Sequence, residues 1–384
     1  MPSRLNSPLV SLLIISVTTS LFIFGRLYQS RFDFSSFVVA GDRFCDPALV
    51  PQGLTVLKNS DGFDGQFYYR LALNPFTSQL TDYGIRFDVP SLRHQRILYP
   101  FLTWALSLGR ARAVPVIMVL INFFCLCALG WIGGHYAQTL KQHALWGVFL
   151  PLYAGFLLTL SRDLTEILEI TLLLGSLLLI RRGRPIVATA LLSLAILTKE
   201  TALLVAVAAL LVYVFNWRKR SDAEAVRWYF FGVPVVIFVI WQVVLFFNWG
   251  VFPIHASGNS NLGIPFVAPV TFLMGSFLRT PFQRHYFIEA IFLIGFTIGI
   301  LYHLRATTAS SLEIVAWLLY AAVAVSLSRV VWTEDWTFLR AVSQFCVLGT
   351  IVIIASKYKA KAFVFACSGF FWLYLFVRLL RHYS

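Results

Sequence analysis

Two aspartates, Asp61 and Asp64, stand three residues apart in "SDGFDGQFYYRLALNP" (60–75), among glycines and just ahead of a knot of aromatics. A carboxylate so placed can take a proton from a hydroxyl, and a base at a reaction centre is worth roughly 10²–10⁴-fold in rate. Plainer roles stand beside that one. Asp61-Gly62 is an ordinary turn dipeptide, and an aspartate before a short helical run is a helix cap. Further along come Arg93, His94 and Arg96, then "SRDLTE" (161–166), "TKE" (198–200) and "RVVWTEDWTFLR" (329–340). Asp163, Glu166 and Glu169 are spaced three apart and would line one face of a helix. The alternating oxygen ligands of a calcium loop are missing around Asp61, and the 5 cysteines show no metal-ligand spacing.

These groups sit in a chain of 384 residues that is 59% hydrophobic and 12% charged, with a mean hydropathy of +0.77. Soluble domains are about one quarter charged, and a run of about 20 apolar residues spans a bilayer core. An all-α polytopic membrane protein is expected, with about 11 membrane segments at 8–28, 113–134, 144–160, 165–180, 186–198, 201–216, 229–248, 285–303, 312–328, 341–356 and 362–378. The organisation reads as a signal anchor (1–28), a first extracytoplasmic loop with amphipathic helices (29–112), a bundle (113–248), a second loop (249–284) and C-terminal helices (285–384). "QRILYPFLTWALSL" (95–108) reads as an amphipathic or re-entrant helix returning the first loop to the bilayer.

With the N-terminus in the cytoplasm, Arg4, Lys141, "RRGR" (181–184), "WRKR" (217–220), Arg305 and "KYKAK" (357–361) all fall inside, as the positive-inside rule asks. Topology therefore accounts for the net charge of +14, and nucleic acid is not an expected partner. The basic tail "RLLRHYS" falls outside and fits the rule poorly. The mixed acid–base groups gather on the opposite, extracytoplasmic face. Segments 186–198 and 201–216 are short, so Lys199 and Glu200 are expected below the surface, where ionisable groups face a cavity or each other.

Carboxylates and cations at one end of a bundle suit sugar transfer from a polyprenyl-phosphate donor to a hydroxyl. One carboxylate accepts the proton, and cations hold the leaving phosphate. Asp64 is the expected base, with Asp61 or Asp42 in reserve. Arg93, Arg96 and Lys199 are the expected phosphate ligands. Asp163 and Glu166 would orient a sugar hydroxyl or a divalent cation (Mg or Mn). Tyr68, Glu200, Trp332, Glu334, Asp335, Trp336 and Arg340 complete the expected substrate-binding set, the tryptophans either stacking on sugar or forming an interfacial belt.

"FDGQFYYRLA" followed by "RILYPFLTWALSL" resembles the GT-C membrane glycosyltransferases, especially the GPI mannosyltransferase II type. "SRDLTEILEITLLLGSLLLIRRGR" and "LLSLAILTKETALLVAVAALL" are similar to later stretches of that group in the same order. "DGxDGQFYYRLALxPF" and "QRILYP" resemble bacterial inner-membrane proteins implicated in cell-surface glycopolymer formation. The resemblance covers roughly residues 40–215. It implies a GT-C-like bundle in the plasma membrane, a lipid-linked sugar donor, a glycan or glycolipid acceptor, an acidic role for Asp64 and a basic one for Lys199. Lys-Glu stands where the group has Arg-Pro, and a His-Pro-Asp-Glu signature is missing. Two other readings stay open: a flippase of a lipid-linked saccharide, which buried charges such as Glu169 would suit, and a non-catalytic glycan-assembly protein.

Overall fold

The computed structural model describes residues 5–219, 226–256, 261–277 and 284–381. Helix α1 (Pro8–Gln29) leads into a folded segment of small elements. These are β1 (Ala40–Gly41), β2 (Val56–Leu57), α2 (Gly65–Leu73), β3 (Thr81–Asp82), β4 (Ile85–Arg86), α3 (Pro90–Gln95) and α4 (Leu98–Ser107). The long α5 (Val114–Thr139) follows, then α6 (Gly155–Leu160), α7 (Glu166–Arg181), α8 (Pro185–Thr198), α9 (Leu203–Lys219) and α10 (Trp228–Trp249). The remainder is α11 (Pro253–Ala256), α12 (Val267–Phe277), α13 (Arg284–Leu304), α14 (Ser311–Val325), α15 (Asp335–Ala341), α16 (Ser343–Ile354) and α17 (Lys361–Arg381).

Among the described residues, 5 helices are long and apolar enough to cross a membrane: α1, α5, α10, α13 and α17. Their outward faces explain why water is the wrong solvent for them. Leu9, Leu13, Val17 and Leu21 recur every fourth residue along α1 and are exposed, a stripe that soluble monomers rarely carry. Helices α8, α9, α14 and α16 are apolar but shorter. Inside the bundle, α1 packs on α5, α7 on α8, and α14 on both α9 and α16.

The segment between α1 and α5 has its own core. Phe67, Tyr69 and Leu71 of α2 meet Tyr99 of α4, Met118 of α5 and Leu168 of α7. Every residue of α2 is buried. The expected first loop is thus folded and seated on the bundle, with α4 where the returning helix was expected. Its two-stranded pairings, β1 with β2 in parallel and β3 with β4 antiparallel, are short additions to an otherwise helical chain.

Several boundaries differ from expectation. The apolar run 144–160 is not one helix: a 3₁₀ turn covers Ala144–Phe149 and α6 only six residues beyond the break. Pro151 in that gap has no N–H to continue a helical ladder. The expected second loop contains α12, whereas the doubtful last segment is a continuous 21-residue helix. Arg4, Arg220 and the final residues of the basic tail lie outside the described residues.

Candidate functional site

The aspartate-glycine stretch is shaped by backbone geometry that only glycine accepts in two places. Gly62 has φ +63°. At Gly65 a Cβ would lie 2.4 Å from the Arg162 carbonyl oxygen and 2.7 Å from that of Val38, so the start of α2 rests directly on the turn before α7. Gln66 then fixes the loop. Its buried amide oxygen accepts from the Gly41 N–H at 3.1 Å, and its Nε2 donates to the Asp61 carbonyl at 2.8 Å. Asp64 sits at the N-cap of α2 in helical geometry, yet its side chain makes no capping hydrogen bond. Capping does not account for it.

The Asp64 carboxylate instead meets three guanidinium groups from two distant parts of the chain. Arg93 lies 2.8 Å away, Arg340 3.4 Å and Arg96 3.9 Å. Burial works against the charge of Asp64, but Arg93, Arg340 and Arg96 overcome it and hold the carboxyl well below the usual carboxylate range.

Each cation is shared. Arg93 also holds Asp88 at 2.5 Å and lies over the Phe67 ring. Arg96 grips Glu200 with two bonds of 2.7 and 3.1 Å and approaches the Tyr68 hydroxyl at 3.3 Å. The Arg340 Nε reaches Glu166 at 3.2 Å, and Lys199 reaches the same oxygen at 3.0 Å.

Local structure explains how these arrive. Glu166 is the first residue of α7, where the positive end of the helix favours a carboxylate. Helix α8 stops at Thr198 because Lys199 is extended (φ −158°, ψ 131°), and a 3₁₀ turn over Glu200–Ala202 restarts the chain toward α9. That break aims Lys199 and Glu200 at the end of the bundle. Arg340 comes from the short α15. The acids Asp64, Asp88, Glu166 and Glu200 balance Arg93, Arg96, Lys199 and Arg340 one for one.

The other sequence-derived candidates lie elsewhere. Asp61 is exposed and paired with Arg43 at 2.8 Å. Asp42 accepts backbone N–H bonds from Asn59 and Ser60 at 2.8 and 3.1 Å, which lower its pKa and mark it as a loop clamp. Asp163 is fully buried, and neither of its carboxylate oxygens has a hydrogen-bond partner among the described residues. Glu169 is sealed by Gln344 at 2.6 Å and Thr201 at 3.2 Å. Trp332 packs on Phe338 and Phe272 and lines an apolar cavity, so stacking on sugar does not suit it. Trp336 does face the site's edge, against Phe63, and Glu334 precedes it at the start of α15. The Asp335 side chain lies outside the described residues.

Reasoning from sequence passed over Gln66 and Arg162. The signal for Gln66 was its place directly after the second glycine, and for Arg162 the same "SRDLTE" junction whose acids drew attention. Among the described residues no group of three or more His, Cys, Asp and Glu is placed to hold a metal ion. Asp64, Glu166 and Glu200 are each occupied by a cation. Of the two acids expected to orient a divalent cation, Glu166 is taken by Lys199 and Arg340, whereas neither carboxylate oxygen of Asp163 has a hydrogen-bond partner among the described residues.

An apolar cavity of 430 Å³ lies among α12, α13, α14 and α16, walled by Phe272, Leu293, Ile298, Trp317, Trp332 and Phe345. No family model, no curated protein and no solved structure matches the chain.

Proposed function

We propose that the chain is a GT-C-type glycosyltransferase that moves a sugar from a polyprenyl-phosphate donor to a cell-surface glycan or glycolipid, at the extracytoplasmic face of the plasma membrane. The observation that carries the reading is the meeting of Asp64 with Arg93, Arg96 and Arg340 at the end of the bundle. A carboxylate among three arginines is a weak base while they hold it. An arriving phosphate ester competes for the same guanidiniums, for which its geometry is well matched. As they turn to the phosphate, the pull on Asp64 weakens and its basicity rises. Donor binding then readies the base that takes the acceptor hydroxyl's proton, and the sugar passes to that oxygen as the polyprenyl phosphate leaves.

Glu166 and Lys199 have a positioning role. Glu166 is 1% exposed and anchors Arg340 and Lys199 through one oxygen, so the cations are held in place before the donor arrives. Such prior ordering is what makes electrostatic stabilisation effective. The 430 Å³ cavity supports a lipid donor: Trp332 and Val342 on its wall flank the helix that carries Arg340. An isoprenoid tail there would leave its phosphate toward the arginines.

Proteoliposomes with radiolabelled polyprenyl-phosphate sugars and extracted acceptor glycolipid test the reading. Label joined to acceptor by a glycosidic bond is the expected result. Label that crosses the bilayer without forming such a bond would make the protein a transporter of lipid-linked saccharide.

A further inference from the structure

Arg162 breaks the pattern of the cluster beside it. Arg93, Arg96, Lys199 and Arg340 each have a carboxylate within 3.4 Å, whereas the half-buried Arg162 has no ion-pair partner among the described residues. Its Nη1 donates only to the Ser161 hydroxyl at 2.8 Å, and its Nε is buried without a hydrogen-bond partner. The charges facing it are mostly of its own sign: Arg26, Arg340 and Arg378 repel it, and Glu334 attracts it. A cation placed so asks for an anion from outside the chain.

The surroundings say what kind. The guanidinium lies 4.6 Å from the Phe63 ring centroid and 5.4 Å from that of Trp336, and these two rings meet edge to face at 5.7 Å. Aromatic faces beside an arginine fork suit a sugar ring bearing an anionic substituent. Phe63 immediately precedes Asp64, and the Arg162 carbonyl abuts Gly65 just after it, so a ligand held here lies beside the proposed base.

We propose that Arg162, with Phe63 and Trp336, forms an acceptor subsite that selects a saccharide carrying a phosphate ester. The acceptor role rests on the transferase reading; the anion site does not, and it can be measured without turnover.

The experiment is fluorine NMR of the full-length protein labelled with 5-fluorotryptophan, with the Trp336 signal assigned from W336F. In detergent, glucose 6-phosphate should shift that signal saturably, whereas glucose should leave it unmoved. Arg162→Gln should weaken the response at least ten-fold and Arg162→Lys less, in protein that keeps the wild-type elution profile. Binding is read with no donor present and no turnover, so failure of transfer and failure of this subsite remain distinct.

An undiminished response in Arg162→Gln, or an equal response to glucose, would overturn the proposal. Nanodiscs separate lipid from saccharide. If phosphatidylglycerol, but not phosphatidylcholine, places the signal at its bound position and glucose 6-phosphate cannot displace it, the site belongs to a lipid headgroup and the acceptor role falls.

Discussion

Helix α7 carries charge at both ends, about 22 Å apart at 1.5 Å per residue, and the two ends are built differently. At its far end Arg181 pairs with Glu313 through two bonds of 2.5 Å, and the Tyr136 hydroxyl donates to the same carboxylate. Glu313 also closes a capping box with Ser310 at the start of α14. One acid there has all its partners, and they tie three helices together. At the near end Glu166 is one member of a network in which every arginine divides itself among several groups, and Asp64 is claimed by three of them. A satisfied pair fixes structure. A shared and balanced network can exchange partners with a ligand, and this is why the near end is the candidate site.

The contrast can be broken by substitution. Arg96→Gln should lower transfer by about 10²–10³-fold, the scale of losing one stabilising donor to a developing charge, with much of the loss in donor binding. Glu313→Gln should act on folding instead. Breaking a pair whose Glu313 is buried and whose Arg181 is half-buried costs up to about 3–5 kcal/mol, visible as lower thermal stability, while the folded fraction keeps its turnover. If Glu313→Gln abolished turnover at unchanged stability, the division between the two ends would be wrong.

Arg340→Gln sharpens the electrostatics. Removing one of the cations that depress the Asp64 pKa should move the acid limb of the pH–rate profile upward, measured in Asp64-competent protein. The sign for stability follows from the same depression. The contribution of Asp64 is complete above the unfolded carboxylate value of about 3.9 and is lost as pH falls through its lower folded value. Acid unfolding of D64N should therefore be less steep below that pH. The smallest effect belongs to Asp61, whose pair with Arg43 is exposed; D61N should stay within about 0.5 kcal/mol in stability and leave transfer unchanged.

Much of this site could be read in the sequence because membrane topology groups residues coarsely. Placing the mixed-charge junctions on one side was enough to gather Arg93, Arg96, Glu166, Lys199, Glu200 and Arg340 near Asp64. Topology could not separate Asp61 from Asp64. That distinction depends on the turn at Gly62 and on Gln66, which direct one carboxylate to solvent and the other to the arginines. Apolar composition also hid the break at Pro151, since a run of suitable length looks continuous whether or not its backbone is. Arg162 escaped because its partners are aromatic rings from distant segments, Phe63 and Trp336, and no local spacing announces them.

The central claim is that Asp64, beyond its share in stability, is held by the arginines for chemistry. The direct measurement is the rate of glycosidic bond formation by D64N in proteoliposomes, alongside its thermal stability. The account predicts a fall of at least about 10²-fold in transfer in protein that still folds and still binds the donor. Full transfer by correctly folded D64N would contradict it.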